Sequence, residues 1–278
     1  MIAILALAAL GCALAQPPDI GRIMYRVAAN QAASQETRLL YVYNQKQLLR
    51  MIRSNGKLAR EERREYVVAP GVHHVKKELA TFTGKYEFKG ALVPYDRPGY
   101  HYKGLDIDGD LIDDMSKDMT DDGNSRDGIA RDMFPLTYHQ QLRYYFRLVG
   151  VETYRGRAVY RVRFQPKPHL HCEDCDTIWK GDALIDAAEY QPVLVTTSMA
   201  LKIPLVVKTM LGTDIKGLGF SVSYQKFEDG VWFPVSYGGE FAVKGLFFYK
   251  RTISVSLVNG DFHRADVQSN VAYKMEDR

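Results

Sequence analysis

Two histidines and two cysteines lie within seven residues of this 278-residue sequence, in the stretch HLHCEDC. Imidazole nitrogens and thiolates are preferred zinc ligands, although structural zinc sites normally take them from two separated pairs. In an exported protein, two cysteines this close in sequence usually oxidise to a disulfide. We therefore predict a disulfide between Cys172 and Cys175. The alternative is a zinc site formed by His169, His171, Cys172 and Cys175.

The segment from residue 105 to 132 holds further candidate metal ligands, with ten aspartates and no glutamate. A calcium-binding EF-hand loop needs a glycine at its sixth position and a glutamate at its twelfth. Counted from Asp106, Gly109 is fourth and Lys117 is twelfth, so the strict motif fails. We predict a long, solvated insertion that contains one short helix. The alternative is a weak calcium site at Asp106, Asp108 and Asp110.

The sequence lacks the motifs that commonly carry catalysis, among them the Gly-x-Ser-x-Gly turn, the His-Glu-x-x-His zinc motif and a phosphate-cradling glycine loop. We interpret His139 and His263 as surface or strand-face residues, and the pair His73-His74 likewise. The formal net charge is +4, with no run rich in lysine and arginine of the kind nucleic-acid binders show. We predict a protein that is neither an enzyme nor a nucleic-acid binder.

The N-terminus resembles a secretory signal. Residues 1–14 are apolar and uncharged, and Ala13-Leu14-Ala15 has the small-x-small form of a cleavage site. We predict a signal peptide over residues 1–15, which cleavage would remove together with Cys12. Two alternatives are lipidation at Cys12, after a weak lipobox, and an uncleaved anchor. No Lys or Arg precedes the apolar run, as a signal peptide would normally have.

Two helices are predicted from apolar periodicity. Ile20, Ile23, Met24 and Val27 recur at helical spacing after Asp19, which is a suitable N-cap, and this first helix should end near residue 34. The stretch LTYHQQLRYYFRL predicts a second helix, capped by Thr137 and with one apolar face. That face is formed by Leu142, Tyr145 and Phe146.

The rest of the chain reads as antiparallel strands with one apolar and one polar face. Hairpin turns are predicted at Asn55-Gly56, Asp229-Gly230 and Asn259-Gly260, because Asn-Gly and Asp-Gly pairs favour tight turns. The return strand from Leu58 is so rich in charge that it should have a wet face or lie at a sheet edge. We predict a mainly β (α+β) fold, in which a curved antiparallel sheet forms an unclosed half-barrel over two helices. It should be one domain, residues 16–278.

Four motifs resemble the outer-membrane lipoprotein-sorting-like proteins, the LolA/LolB/LppX-type group. They are a Tyr-x-Gly-x-x-x-Tyr hairpin, a strand ending in Ile-Asp, a Tyr-x-Pro-Val step and a Gly-x-Trp-x-Pro strand start. In this sequence they stand at Tyr154/Gly156/Tyr160, Ile185-Asp186, Tyr190/Pro192-Val193 and Gly230/Trp232/Pro234. The resemblance covers roughly residues 17–105 and 135–275. The aspartate-rich insertion and the Cys-x-x-Cys pair depart from the family pattern.

The resemblance implies a monomeric carrier or sensor, exported to the periplasm or outer-membrane periphery of a Gram-negative-type bacterium. Its implied ligand is a lipid or an acylated protein anchor, held without a cofactor in an apolar groove between sheet and helices. The groove would be lined by Trp179, Val195 and Tyr224. The apolar segment 202–211, with its lysines, is interpreted as a core-covering loop. The alternatives are a mobile lip over the lipid groove and a loop that touches the envelope membrane. Two other functions stay open, a ligand-free structural or interaction protein and a metal-handling protein using Cys172 and Cys175.

Overall fold

The protein is described from a computed structural model, over residues 18–71, 75–120, 136–168, 179–200, 214–217, 219–227, 229–245 and 249–265. Within the helices and strands, the side chains at 117–120 and 214–216 are left out of the description. No helix in these ranges is long and apolar enough to cross a membrane.

Three helices and twelve strands lie within the described ranges. The helices are α1 (Ile20–Arg38), α2 (Ile107–Thr120) and α3 (Tyr138–Gln141). The strands are β1 (Tyr41–Arg53), β2 (Leu58–Ala69), β3 (Lys76–Phe88), β4 (Ala91–Tyr95), β5 (Tyr144–Tyr154), β6 (Arg157–Pro166), β7 (Trp179–Asp186), β8 (Pro192–Met199), β9 (Asp214–Lys216), β10 (Ser221–Lys226), β11 (Trp232–Gly245) and β12 (Tyr249–Arg264).

All described strands belong to one antiparallel sheet. Its order is β4-β3-β2-β1-β12-β11-β10-β8-β7-β6-β5, and β9 pairs with β11 outside this path. The end strands β4 and β5 are not joined, so the sheet does not close into a barrel. The predicted fold class, a mainly β unclosed half-barrel with few helices, is confirmed.

Helix α1 starts where the sequence predicts. The Asp19 carboxylate accepts a hydrogen bond from the Gly21 N–H at 2.9 Å, which satisfies a donor of the first turn. The helix continues to Arg38, four residues beyond the predicted end near Ser34. Its last turns bury polar residues that find partners on the sheet, so apolar periodicity alone could not show them.

The predicted second helix is mostly wrong. Only the four residues of α3 are helical, and β5 begins at Tyr144. In β5, Phe146 stands opposite Phe164 of β6. A Tyr-Tyr-Phe run fits a pleated strand with a long partner, and this pairing outweighs the helical spacing of Leu142 and Tyr145.

The hairpin predictions are confirmed at two of three places. A turn joins β1 to β2 at Asn55-Gly56, where Gly56 alone has a positive φ (79°), and another joins β10 to β11, where Gly230 has φ 85°. The turn predicted at Asn259-Gly260 is wrong, because β12 runs on to Arg264. A bulge opposite Tyr43 absorbs the irregular backbone there, with Asp261 at φ 52°.

Two apolar clusters lie on the same face of the sheet. Tyr237 and Phe241 are four residues apart on β11, so they point to one side. Tyr237 packs against a cluster that contains Ile23 and Val27 of α1, whereas Phe241 belongs to a cluster that contains Ile112 of α2. We call this side the covered face. We call β5, β6, β7, β8 and β10 with α1 the α1 half, and β1–β4 and β12 with α2 the α2 half; β11 lies between them.

The prediction of a solvated insertion is wrong for residues 106–116. Asp106 and Ser116 are buried, and Ile112 is fully buried against Leu49 and Met51 of β1. Helix α2 therefore covers the sheet. The pattern hides this because aspartates surround the apolar residues, and several of these aspartates pair with arginines of the sheet.

Candidate functional site

The three predicted groove residues all lie in the α1 half, and two of them share one cluster. Trp179, Val195 and Tyr224 lie on β7, β8 and β10, with exposed fractions of 6%, 0% and 8%. Val195 and Tyr224 share a cluster with Ile23 of α1. The Trp179 ring meets Phe220 edge-on, with ring centroids 5.2 Å apart. Residues of α1 therefore belong to the cluster that contains Val195 and Tyr224.

The core of the α1 half is built from apolar and aromatic side chains. Its buried members come from α1, from five strands of the sheet and from Leu136, which precedes α3. They are Ile23, Met24, Val27, Leu136, Val159, Tyr160, Val162, Phe164, Ala183, Leu184, Ile185, Val193, Val195, Val222, Tyr224 and Trp232. Tyr237 borders this cluster, and burial raises the pKa of its hydroxyl above the usual value. This surface can exclude water from a hydrocarbon chain but offers no charge.

The α2 half buries charges, which the sequence analysis missed. Arg60, Glu62 and Arg64 alternate along β2 and are 1%, 0% and 3% exposed. Of the two alternatives predicted for this strand, the edge position is wrong, because β2 lies between β1 and β3. The wet face is present, since Arg63 and Val67 are exposed and Glu65 is partly exposed on the side opposite Arg60. The sequence signal was the Arg-x-Glu-x-Arg spacing, which places alternate opposite charges on one face of a strand.

Each of the three guanidinium nitrogens of Arg60 donates a hydrogen bond. Its Nε donates to the Tyr95 hydroxyl at 2.7 Å, its Nη1 donates to Asp106 at 2.7 Å, and its Nη2 donates to the Tyr100 carbonyl. The Tyr95 hydroxyl in turn donates to Glu62 at 2.5 Å. Burial lowers the pKa of Arg60, but the Tyr95 contact and the Asp106 and Glu62 charges outweigh it, so the net direction is upward.

Arg64 links this group to α2. It donates through Nε to Glu62 at 2.9 Å and through Nη1 to the Ser116 hydroxyl at 2.7 Å. Its Nη2 lies 3.3 Å from an Asp113 carboxylate oxygen. Ser116 then donates to Gln47 of β1 at 3.1 Å. These bonds dock α2 on β1 and β2 by polar groups, and they leave few buried donors without an acceptor.

The three aspartates predicted as calcium ligands do not share one ion. Asp106 pairs with Arg60, whereas Asp108 accepts from Arg251 through both oxygens at 2.9 Å. Asp110 faces His101 Nε2 at 2.7 Å, and that contact raises the pKa of the imidazole. Across the described ranges, no three His, Cys, Asp or Glu side chains are grouped to hold a metal.

A polar cavity of about 220 Å³ opens between the sheet and the start of α2. A neighbouring cavity of about 180 Å³ shares five of its lining residues. The larger one is lined by Arg53, Ala59, Arg60, Tyr86, Glu87, Tyr102, Lys103, Asp106, Asp108 and Arg251.

One wall of this cavity is aromatic. The Tyr86 and Tyr102 rings stack with centroids 4.6 Å apart and planes 16° apart. Tyr95 and Tyr100 stack beside them at 5.0 Å. A hydrogen bond with Tyr102 raises the pKa of Lys103, whose amine lies 5.0 Å from that ring. The cavity therefore has a wall of stacked tyrosine rings and an exposed lysine in its lining.

The remaining predicted site residues lie outside the described ranges. They are His169, His171, Cys172 and Cys175, together with Cys12, the signal peptide over residues 1–15, the segment 202–211 and residues 121–132 of the acidic segment. The disulfide, the zinc site and the cleavage site therefore stay predictions.

No family model matches the sequence, and no curated protein matches it. Similar solved structures include an outer membrane lipoprotein-sorting protein domain from Vibrio parahaemolyticus, with TM-score 0.37 and 11% identity over 86% of this chain and 92% of that chain. A LolA-superfamily protein from Nitrosomonas europaea has TM-score 0.32 and 9% identity over 86% and 94%. A DUF1329-family protein from Desulfovibrio piger has TM-score 0.39 and 9% identity over 91% and 96%.

Two of these three structures carry names of the lipoprotein-sorting or LolA type that the sequence motifs resemble. Their architecture is similar to that of this chain. With TM-scores below 0.5 and identities of 11% or less, the likeness carries no argument about a ligand or a reaction.

Proposed function

We propose that the protein is an exported carrier or sensor that holds a lipid or an acylated protein anchor between α1 and the sheet. The observation that carries this proposal is the contrast in polarity along the covered face. The larger apolar cluster, with sixteen buried residues, lies in the α1 half, whereas the α2 half combines a cluster of nine buried apolar residues with buried ion pairs. A hydrocarbon chain gains roughly 25 cal/mol for each Å² of apolar surface removed from water, and the α1 half has the larger apolar cluster of the two.

The attachment of α1 fits a role in opening this surface. From Asn30 onward the helix is tied to the β7–β8 turn, since Asn30 donates to the Glu189 carbonyl at 2.7 Å and Gln31 donates to Gln191 at 2.8 Å. Its first turns bury Ile23 and Met24 in the apolar cluster, and one hydrogen bond, from Gln141 to the Met24 carbonyl at 2.9 Å, joins them to the end of α3. We expect the first turns to separate from the sheet when a chain enters, while the C-terminal turns stay anchored.

A pair of matched variants tests the carrier role. Val195→Phe and Val255→Phe make the same enlargement at positions 0% and 3% exposed, the first in the α1 half and the second in the α2 half. Protein exported to an oxidising periplasm would be measured by native mass spectrometry for a co-purified lipid. We expect the wild type and Val255→Phe to carry lipid and Val195→Phe to lose it.

Lipid content would be compared only between variants whose melting temperatures lie within a few degrees of each other, so that a loss of lipid does not reflect unfolding. A bare mass for the wild type after purification without detergent, and after incubation with envelope lipids, would contradict the proposal. Equal loss of lipid in both variants would also contradict it, since the two halves would then not differ in ligand binding.

The same spectra test the predictions about export. Cleavage after Ala15 would give a mature chain that starts at Gln16, and a Cys172–Cys175 disulfide would make it two hydrogens lighter than the reduced chain. Lipidation would instead leave Cys12 as the modified first residue. A zinc adduct on a reduced chain would favour the metal-handling alternative.

A further inference from the structure

Two neighbouring loops of the α2 half share the sequence aromatic-Lys-Gly. Residues 88–90 end β3 and form the turn into β4, and residues 102–104 lie in the segment that leads to α2. The rings of Phe88 and Tyr102 meet edge-on with their centroids 6.1 Å apart, so the two loops lie side by side. We call these two loops the aromatic–lysine tips.

The first tip is a tight hairpin turn. Phe88 stands opposite Ala91, so the turn between them has two residues. Lys89 has φ 51° and Gly90 has φ 89°, and positive φ at both residues is typical of the type I′ turn. Glu87 fixes the turn by accepting the Gly90 N–H at 2.5 Å. Lys89 is therefore held at the apex of the turn, where it is exposed.

In both tips the lysine amine lies beside the ring that precedes it. Lys89 Nζ is 5.3 Å from the centroid of Phe88, and Lys103 Nζ is 5.0 Å from the centroid of Tyr102. Lysine can keep its amine in water while its stem lies along apolar surface, and tyrosine is enriched where a membrane meets water. Each tip thus pairs an aromatic ring with an amine, as an interfacial segment does.

The tips also expose apolar side chains. Phe88 is 44% exposed, and Leu105, which directly follows the second tip, is 67% exposed. Leu105 lines the same small cavity as Tyr102 and Lys103, so it belongs to this end of the molecule. Removing such side chains from water is favourable in proportion to their apolar area.

The local charge is positive. Residues 88–92 and 97–105 contain no Asp or Glu. Glu87 and Asp106, which border these segments, pair with arginines of the sheet. The exposed Asp96 between them is next to an exposed arginine. The charges of the two tip lysines therefore complement an anionic surface.

We infer that the aromatic–lysine tips dock on an anionic lipid bilayer. Phe88 and Leu105 enter the interface, and Lys89 and Lys103 lie at the headgroups. Two apolar side chains cover far less than the roughly 800 Å² that each partner buries in a stable protein interface. A bilayer needs no such area, because it meets apolar and cationic groups together. The inference does not rest on the proposed carrier function, since the tips lie in the α2 half.

A tryptophan reporter tests which end of the molecule meets the bilayer. Leu105→Trp places the reporter beside the second tip. Leu142→Trp is the matched control, since Leu142 is 55% exposed at the end of α3, near the opposite edge of the sheet. With vesicles of phosphatidylglycerol and phosphatidylcholine, we expect the emission of Leu105→Trp to shift to shorter wavelength and that of Leu142→Trp to stay unchanged. Vesicles of phosphatidylcholine alone should give a much smaller shift.

Co-sedimentation of the full chain with the same vesicles tests the charges. Lys89→Gln with Lys103→Gln should weaken binding about tenfold or more, because each removes a cation next to the anionic surface. Lys46→Gln with Lys76→Gln lowers the net charge equally and is the control, with a much smaller expected effect. Those two side chains are 59% and 77% exposed, and Lys76 lies at the other end of β3 from Phe88.

Three results would overturn the inference. They are no binding of the wild type to phosphatidylglycerol vesicles, equal loss in the two double variants, and binding that persists in every tip variant. The last would place the membrane contact elsewhere, for example at segment 202–211. A dimer that Leu105→Gln dissociates would also overturn it, since the tips would then join two copies of the chain. None of these results concerns lipid held in the α1 half, which native mass spectrometry measures without vesicles.

Discussion

The two halves of one covered face are packed by opposite means. In the α1 half, Ile23 and Val27 pack in a large apolar cluster, and the buried charged residues are Arg38 of α1 and Asp186 of β7. In the α2 half, a helix of similar size docks through Arg64, Ser116 and Asp113 as well as through Ile112. On the α1 half, the helix can therefore shift without breaking specific pairs. On the α2 half, the helix depends on defined hydrogen bonds and ion pairs.

This difference has a physical basis. Apolar burial depends on area and has little directional preference, so a helix on such a surface can shift with modest loss. A buried ion pair repays its desolvation only when the geometry is good and every remaining donor is satisfied. We therefore expect the α2 half to be rigid and to fail abruptly when one partner is removed, and the α1 half to lose stability in proportion to the volume removed.

The largest expected effect is in the charged half. Arg60→Met leaves Asp106 buried without its cation and leaves Glu62 with Arg64 alone, and it should lower the free energy of unfolding by ~3–5 kcal/mol. Urea denaturation measures this loss. Arg50→Met is the control and should cost only ~0–1 kcal/mol, because Glu61 keeps Lys85 as a partner at 3.0 Å. Equal losses in the two variants would mean that the buried pair has no special role.

A truncation in the apolar half should cost slightly less. Ile185 is fully buried in the α1 half, and Ile185→Ala should lower the free energy of unfolding by ~2–5 kcal/mol, depending on how far the cavity collapses. Val151→Ala on the exposed side of β5 should change it by less than ~0.5 kcal/mol. If Ile185→Ala proved as mild as Val151→Ala, the α1 half would not be a packed core in solution.

A double-mutant cycle tests whether the halves are independent. Arg60→Met and Asp106→Asn remove two ends of one ion pair, so their effects should depart from additivity by ~0.5–3 kcal/mol. Arg60→Met and Ile185→Ala lie in different halves and should add within ~0.3–0.5 kcal/mol. A coupling across the halves as large as that within the pair would refute the division of the covered face.

The smallest expected effect concerns the exposed contact between His101 and Asp110 at the start of α2. Its hydrogen bond raises the pKa of the imidazole above the unfolded value of about 6.5, so the contact stabilises the fold below that pH. The stabilisation is lost as the pH rises through the folded pKa. Wild type should therefore melt above His101→Gln at roughly pH 5.5, and the gap should close by about pH 9. Asp110→Asn should show the same pH dependence; a gap independent of pH would contradict the assignment.

The sequence predicted the sheet architecture more accurately than it predicted the positions of the helices. Alternation on β6 and β10 and the turns at Gly56 and Gly230 set strand pairing by local rules, which can be read from spacing. The stretch around Tyr145 has both helical spacing and strand-forming residues, and its pairing with β6, which begins only at Arg157, decides between them. Likewise, Asn259 looks like a turn residue, but its side chain donates to the Pro234 carbonyl within the sheet at 3.0 Å.

The site was harder to predict for a related reason. Trp179, Val195 and Tyr224 alternate with polar neighbours, so their common face follows from period two. The role of Arg60 depends instead on Asp106 and Tyr95, which are far from it in sequence. A charged residue taken by itself predicts solvent exposure. Only the fold shows that residues of opposite charge, distant in sequence, are paired in the interior. Asp106, Asp108 and Asp110 are close in sequence, which suggested a shared calcium ion. In the fold each contacts a different basic side chain, Arg60, Arg251 and His101.

The neighbour of β1 in the sheet is β12. The strand that follows the first helix is thus completed by one of the latest parts of the chain, and the two halves of the covered face join only when both are present. Contacts between residues so distant in sequence make folding slow. We expect a nascent chain that still lacks β12 to leave one side of β1 without its partner, so the complete sheet forms only after the last described strand has been made.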